Sequence, residues 1–199
     1  MTAAPEPRAR RDAEATRRRL IAAALELFTT VGFRATTTPM LAERAGIAEG
    51  TIYRHFTGKD ELLNAAYRQV QERATAIVKE IEGDRTLPVR DRLLGIARRM
   101  LEEAARDGAA MRMLLQTRDE RHLDERSRES GRQFRAGLQQ VMASGKSDGV
   151  VRAGPAELWA AVWLAIVALA VERVVAGEWT PEHPQAALAL EAAWDAITS

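Results

Sequence analysis

An all-α protein is predicted by three observations. No segment sustains the period-two alternation of apolar and polar residues that a half-buried strand needs. Apolar residues instead recur at helical spacing from Leu20 almost to the end of the 199-residue chain. Gly46, Gly83, Pro88, Gly108 and Pro184 punctuate these runs where helices stop and start. The expected architecture is a small helical domain followed by a larger one, about nine helices in all.

Residues 1–15, MTAAPEPRARRDAEA, are rich in Pro, Ala and Arg and carry no apolar pattern. A disordered arm is expected there, either solvated or dipping into an adjacent minor groove of a duplex. No apolar h-region follows, so the arm does not read as a secretory signal. The first helix is marked by Leu20-Ile21-Ala22-Ala23-Ala24-Leu25-Glu26-Leu27-Phe28, with Gly32-Phe33 at its exit.

Residues 37–59, TTPMLAERAGIAEGTIYRHFTGK, carry the densest chemistry. Leu41, Ala42 and Ala45 give a short helix its apolar stripe. Thr38 as N-cap would place Pro39 at the first helical position. Gly46 sits where a helix end needs a left-handed residue. If Ala48 caps the next helix, Ile47 and Ile52 have the spacing of a hydrophobic staple, and Phe56 extends the inward face. Small Ala42 and Ala45 let the two helices cross closely, as a helix-turn-helix requires.

The opposite face of the second short helix then presents Gly50 and Arg54 outermost, flanked by Thr51 and Tyr53. Thr51 and Tyr53 can donate to phosphate oxygens, and Arg54 adds charge and guanine readout. Gly50 lets the backbone approach a groove floor. Lys59 lies near the start of the following helix, where a cation and free N–H groups would hold a phosphate. Thr36, Thr37 and Thr38 offer further hydroxyls. Glu49 either accepts from a cytosine amino group or offsets the helix dipole.

These residues, in this order and spacing, resemble the DNA-binding domain of the TetR family of transcriptional regulators over roughly residues 16–66. The resemblance implies a helix-turn-helix motif at about 37–56 and a ligand-binding and dimerisation domain over 67–199. It also implies operator contacts by Thr51, Tyr53, His55, Lys59 and a threonine at the start of the first short helix. Two positions depart from the family pattern: Ala48 stands where a capping Ser is usual, and Met40 where an acid often completes a cap.

Charge is distributed accordingly. The net charge is +1, yet residues 1–60 hold ten Lys and Arg against seven acids, and the remainder 19 against 21. The basic excess lies on the DNA-binding half, where it would give salt-dependent affinity.

Beyond residue 60 the pattern stays helical. Leu62 to Ile81 form a long connecting helix closed by Gly83, and Pro88 opens the next, which Asp107-Gly108 breaks. A short helix at 109–117 and a longer one at 120–143 follow, then a loop at 144–155. Leu158 to Val171 is an unbroken apolar run of 14 residues. A bilayer span needs about 20, so a buried helix and no membrane association are expected. The last helix, 184–197, is Ala-rich like its predecessor, and two such pairs would meet across a two-fold axis as a homodimer.

A dimer holds two recognition helices about 34–36 Å apart, the spacing that reads a palindromic operator in double-stranded DNA. By the resemblance, a small molecule in the helical core shifts that spacing and releases the DNA. Met100, Met113, Gln116, His122, Phe134, Leu138, Trp159 and Trp163 are the candidate pocket residues, suited to a hydrophobic or aromatic effector. Asp119, His122, Glu125 and Glu129 stack at helical spacing but read as a solvated face, so no metal and no cofactor are expected. The three scattered histidines, the absence of cysteine and the lack of a nucleophile motif argue against an enzyme. A homodimeric, ligand-released repressor in the cytoplasm, on the nucleoid, is the leading reading. An activator, a ligand-independent DNA-binding protein, or a helical enzyme or carrier with an appended helix-turn-helix are the alternatives.

Overall fold

The computed structural model describes residues 7–84, 86–116 and 120–198. Nine α-helices are present among them, with one isolated antiparallel bridge, Val151 to Thr198, as the only β-pairing. The chain divides into two compact units.

The first unit comprises residues 1–68 and, returning late in the chain, 118–127. Helix α1 spans Pro7–Leu27. It begins inside the stretch expected to be disordered, which corrects that expectation for residues 7–15. Ala, Arg and Glu are strong helix formers, and Pro7 suits a first helical position. The arm's residues 1–6 lie outside the described residues. A π-helical turn, Phe28–Gly32, continues α1, and Gly32 leaves it at φ +94°.

Helix α2, Thr38–Ala45, is capped by Thr37 rather than Thr38. The Thr37 backbone is extended and its hydroxyl oxygen accepts from the Met40 N–H. Pro39 therefore stands one position deeper than expected, still within the first turn where its missing N–H costs nothing. Gly46 closes α2 at φ +62°, with its own N–H bonded to the Glu43 carbonyl and that of Ile47 to Ala42. Helix α3, Glu49–Ile52, starts after Ala48, whose side chain makes no cap. Turn hydrogen bonds carry the chain on to Phe56. Leu20, Ala24, Phe28, Leu41, Ile52, Phe56 and Leu62 fill this unit's core.

Helix α4, Lys59–Glu82, starts in the first unit and continues in the second. The second unit adds α5 (Val89–Arg106), α6 (Gly108–Leu115), most of α7 (Glu125–Ser147), α8 (Ala156–Val175) and α9 (Pro184–Asp195). Asp107 both ends α5 and caps α6, accepting from the Ala110 N–H at 3.0 Å. Helix α7 begins five residues later than the sequence reading placed it, because Glu120–His122 form a separate 3-10 turn. Trp163, Leu93, Ile96, Leu138 and Val167 are among the fully buried side chains of this unit's core.

Helix α8 is covered on one face only, where the sequence pattern led to the expectation of a buried helix. Trp163, Val167, Ala170 and Val171 are buried, whereas Leu158, Ala161, Ala165 and Leu169 form an exposed stripe. At 20 residues with mean hydropathy 2.0 it is long and apolar enough to cross a membrane by length and composition alone. On α9, Leu188 is 68% exposed and Ala192 lies one turn on.

Candidate nucleic-acid interface

Ile52 and Phe56 are each 2% exposed, which fixes the rotation of α3 and the turn after it. Gly50, Tyr53 and Arg54 consequently face solvent, and Thr51 and His55 are half-buried beside them. Tyr53 is 57% exposed, although an aromatic ring normally buries most of its area. Neither the Tyr53 nor the Arg54 side chain has a hydrogen-bond or ion-pair partner among the described residues. Both hydrogen-bonding side chains are therefore available to a ligand. The Arg17 guanidinium lies over the Phe56 ring at 4.5 Å from its centroid. Thr37 and the half-buried Thr38 lie at the start of α2; Pro39 has no N–H and that of Met40 is held by Thr37, so the N–H groups of Thr37 and Thr38 are the two orphans left open to an anion.

Two expected contacts are corrected by the geometry. Thr36 is 1% exposed, and its hydroxyl donates to the Gly32 carbonyl at 2.8 Å. It therefore closes the π-turn and has no surface to offer DNA. Lys59 is likewise turned inward. Its ammonium donates to the carbonyls of Phe33 at 2.8 Å, Thr36 at 2.9 Å and Arg34 at 3.4 Å. It also lies 4.5 Å from the Phe33 ring centroid. An ammonium has three donors, and all three point to backbone carbonyls of the segment between the π-helical turn and α2. Lys59 is thus a cap of the chain's own backbone, not a phosphate clamp.

The returning segment completes this unit in a way the sequence did not announce. The Asn64 amide donates to the His122 carbonyl at 2.9 Å and accepts from the Asp124 N–H at 2.8 Å, pairing with the segment as a peptide group would. The His122 Nδ1 lies 3.0 Å from Asp60 Oδ1, and its ring centroid 4.5 Å from that of Phe33. The Arg68 guanidinium donates to the Asp124 carboxylate at 2.8 Å and to the Ser127 hydroxyl at 3.0 Å. Burial pushes the Asp124 carboxyl up, but hydrogen bonds from the Ser127 N–H and hydroxyl and from Arg68 outweigh it, leaving the group below its ordinary value.

The second unit contains a cavity of about 440 Å³, including its solvent-open mouth. Its wall is apolar, with Val70, Ile96, Met100, Met111, Leu114 and Phe134, and its polar rim is Arg73, Glu103 and Asp107. The rim groups are paired with one another: Arg73 with Glu103 at 2.6 Å and with Asp107 at 3.6 Å. Of the eight expected pocket residues only Met100 and Phe134 line it. Met113, Leu138 and Trp163 are fully buried core residues away from the cavity. His122 belongs to the first unit, and Gln116 is exposed at the end of α6. The Trp159 indole donates to the Ala153 carbonyl at 3.1 Å with Arg152 stacked over it. Helical spacing shows that these residues share a buried face. It does not show which buried positions line a gap, so Val70, Met111 and Leu114 were missed. No cluster of three or more His, Cys, Asp or Glu suited to a metal occurs among the described residues.

A helix-turn-helix held by a buried three-helix core, with a polar and aromatic outward face, defines a DNA-binding domain of the bacterial regulator type. Residues 20–66 match the sequence profile of bacterial regulatory proteins of the tetR family. The match is to the DNA-binding domain of that family and covers this part of the chain alone. It is 39% identical over 69 residues to the HTH-type transcriptional regulator YvkB of Bacillus subtilis, covering 35% of this chain and 36% of the relative. To the regulator UidR of Escherichia coli (strain K12) it is 40% identical over 73 residues, covering 36% and 37%. The matches thus span little more than a third of either relative. The whole fold is shared with solved structures. A TetR family transcription regulator from Marinobacter aquaeolei superposes with a TM-score of 0.78 at 19% identity, over 96% of this chain and 99% of that one. A SmeT–triclosan complex gives 0.69 at 24%, over 93% and 92%. FadR from Bacillus subtilis, in complex with stearoyl-CoA, gives 0.69 at 18%, over 90% and 98%.

Proposed function

We propose that this protein is a cytoplasmic, homodimeric transcriptional repressor that binds a palindromic operator and is released from it by a small hydrophobic or aromatic molecule. The observation that carries the DNA-binding part is the exposed Tyr53–Arg54 pair on a recognition helix whose inward face is fully buried. Gly50, Thr51, Tyr53, Arg54 and His55 are the contacts assigned to the operator, with Thr37 and Thr38 at the start of α2. Backbone phosphates position such a helix, and the Arg54 guanidinium is the side chain best able to read a base edge.

Dimerisation is supported by the unpartnered apolar stripes of α8 and α9. Leu158, Leu169 and Leu188 are 49%, 52% and 68% exposed, with alanines between them that allow close helix approach. Burying them against a second copy removes this apolar surface from water. The effector part is supported by the apolar cavity beside α6, and by two neighbours of the same fold whose structures contain triclosan or stearoyl-CoA. A ligand there would act by preferring one of two arrangements of the protein, a coupling typically worth about 1–3 kcal/mol.

Selection of bound duplexes from a random-sequence pool tests the core of this reading. A palindromic consensus is expected from the wild type, and none from Tyr53→Ala/Arg54→Ala. A pool that returns no consensus with the wild-type protein, or the same one with the double variant, would remove the assignment.

A further inference from the structure

The apolar cavity of the second unit has a charged mouth of uneven composition. Its ionisable side chains are Arg73 on α4, Glu103 on α5, and Asp107 at the corner where α5 ends and α6 begins. Two carboxylates thus stand against one guanidinium, and the mouth keeps an excess of one negative charge. Arg106 also pairs with Glu103, at 3.1 Å, but it does not line the cavity. Its side chain is 65% exposed, where water screens its charge.

The two acids are not equally satisfied. Glu103 is held twice, by Arg73 Nη2 at 2.6 Å and by Arg106. Asp107 gives Oδ1 to the cap of α6, accepting from the Ala110 N–H at 3.0 Å. Its Oδ2 meets Arg73 Nη1 only at 3.6 Å, an ion pair beyond hydrogen-bond reach. Asp107 Oδ2 is therefore the open acceptor of the mouth. The wall brings Met100, Met111 and Phe134 to the same cavity. Thioether side chains adapt to an irregular tail, and an aromatic face attracts a cation.

We propose that the effector is an amphiphilic cation, a primary or secondary ammonium carried on a slender aromatic or aliphatic tail. The tail occupies the cavity, whose volume of about 440 Å³ includes the mouth, and the ammonium donates to Asp107 Oδ2. This rests on the reading of the cavity as the effector site and adds the charge of the head group to it. An uncharged head gains only what the apolar wall supplies. An anionic head finds one partner, Arg73, already in a short ion pair, and two acids that repel it. The ammonium also competes with Arg73 for Asp107, which weakens one of the two ion pairs tying α4 to the corner of α5 and α6.

The test is titration of the full chain near neutral pH with 4-phenylbutylamine, 4-phenylbutanol and 4-phenylbutyrate, followed by the carbon-13 methyl signals of its methionines. The probes share one tail and carry a positive, no, and a negative charge at that pH. The Met100 and Met111 signals should move, while that of Met142, buried outside the cavity, stays in place. The wild type should bind the amine about tenfold more tightly than the alcohol, as one charged hydrogen bond implies, and the carboxylate least. Asp107→Asn keeps an oxygen to cap α6 and should bind amine and alcohol alike. Equal affinities for amine and alcohol in the wild type, or a carboxylate bound tightest, overturn the proposal and leave the cavity as an effector site. An amine preference unchanged in Asp107→Asn overturns it equally. Met100 and Met111 signals that none of the probes moves would remove the cavity as the effector site and the proposal with it. Should Asp107→Asn fail to fold, the order of the three affinities in the wild type decides.

Discussion

Replacing Lys59 by Met separates a structural cation from a DNA-binding one. Methionine keeps the apolar stem over Phe33 and removes only the ammonium. Two of the three lost hydrogen bonds are short, to the Phe33 and Thr36 carbonyls at 2.8 and 2.9 Å, and the third, to Arg34, is long at 3.4 Å. Hydrogen bonds from a charged group contribute about 1.5–3 kcal/mol each when removed, and a partly exposed cation–π contact about 0.5–1. Lys59 is half-buried, so water replaces part of this, and a net loss of about 2–3 kcal/mol is expected. All four tryptophans lie in the second unit, so their fluorescence would not report the loss. Hydrogen exchange over residues 28–45 would, as a drop in protection of about 30- to 150-fold. Affinity for the selected duplex should fall through misplacement of α2 and α3, with the slope of log K against log salt unchanged. A variant with wild-type protection, whose slope falls by about 0.9 per subunit, would show that Lys59 grips phosphate after all.

Arg54→Ala should do the reverse, lowering the salt slope by about 0.9 per subunit while leaving exchange protection alone, because Arg54 is exposed and unpartnered in the described residues. Leu188→Arg, placed at a 68% exposed position, should leave the fold intact and yield monomers in sedimentation experiments. Gly46→Ala forces a Cβ into a residue at φ +62° and to within 2.7 Å of the Arg19 Nη2. A loss of about 1–2 kcal/mol is expected, read as a lower denaturation midpoint of the first unit. Asp124 has a depressed pKa in the fold, so its contribution is complete above its ordinary value of 3.8 and disappears as pH falls below that toward the lower folded value. Acid exchange experiments should show residues 120–127 losing protection in that window, and Asp124→Asn should remove the pH dependence there.

The helix-turn-helix was legible because one short segment specifies several levels at once. Gly46 forces the turn, and Ile52 and Phe56 fix the rotation of the second helix. Everything outward at Gly50, Tyr53 and Arg54 follows from those three residues. Helices α4 to α9 were legible as elements for a simpler reason, since their periodicity and their Gly and Pro boundaries are local. Their partners were not. An unbroken apolar run such as Leu158–Val171 has no polar face to signal which side is left open, and only packing shows that α8 keeps one uncovered stripe.

Thr36, Lys59 and Asn64 illustrate the harder limit. A hydroxyl, an ammonium or an amide in a DNA-binding motif can serve a ligand or the chain's own backbone, and residue type does not choose between them. The choice is made by orphan backbone groups nearby. The π-turn after α1 leaves carbonyls at residues 32–36 that Thr36 and Lys59 satisfy, and the segment at 122–124 leaves a carbonyl and an N–H that Asn64 satisfies. Tyr53 and Arg54 differ because neither side chain bonds to backbone among the described residues, and the N–H groups of Arg54, His55 and Phe56 beside them are engaged by turn bonds to Thr51 and Ile52. With no internal claimant, their polar atoms are left to an external one. A polar side chain is therefore better assigned to DNA by the absence of unsatisfied backbone within its reach than by its place in a motif.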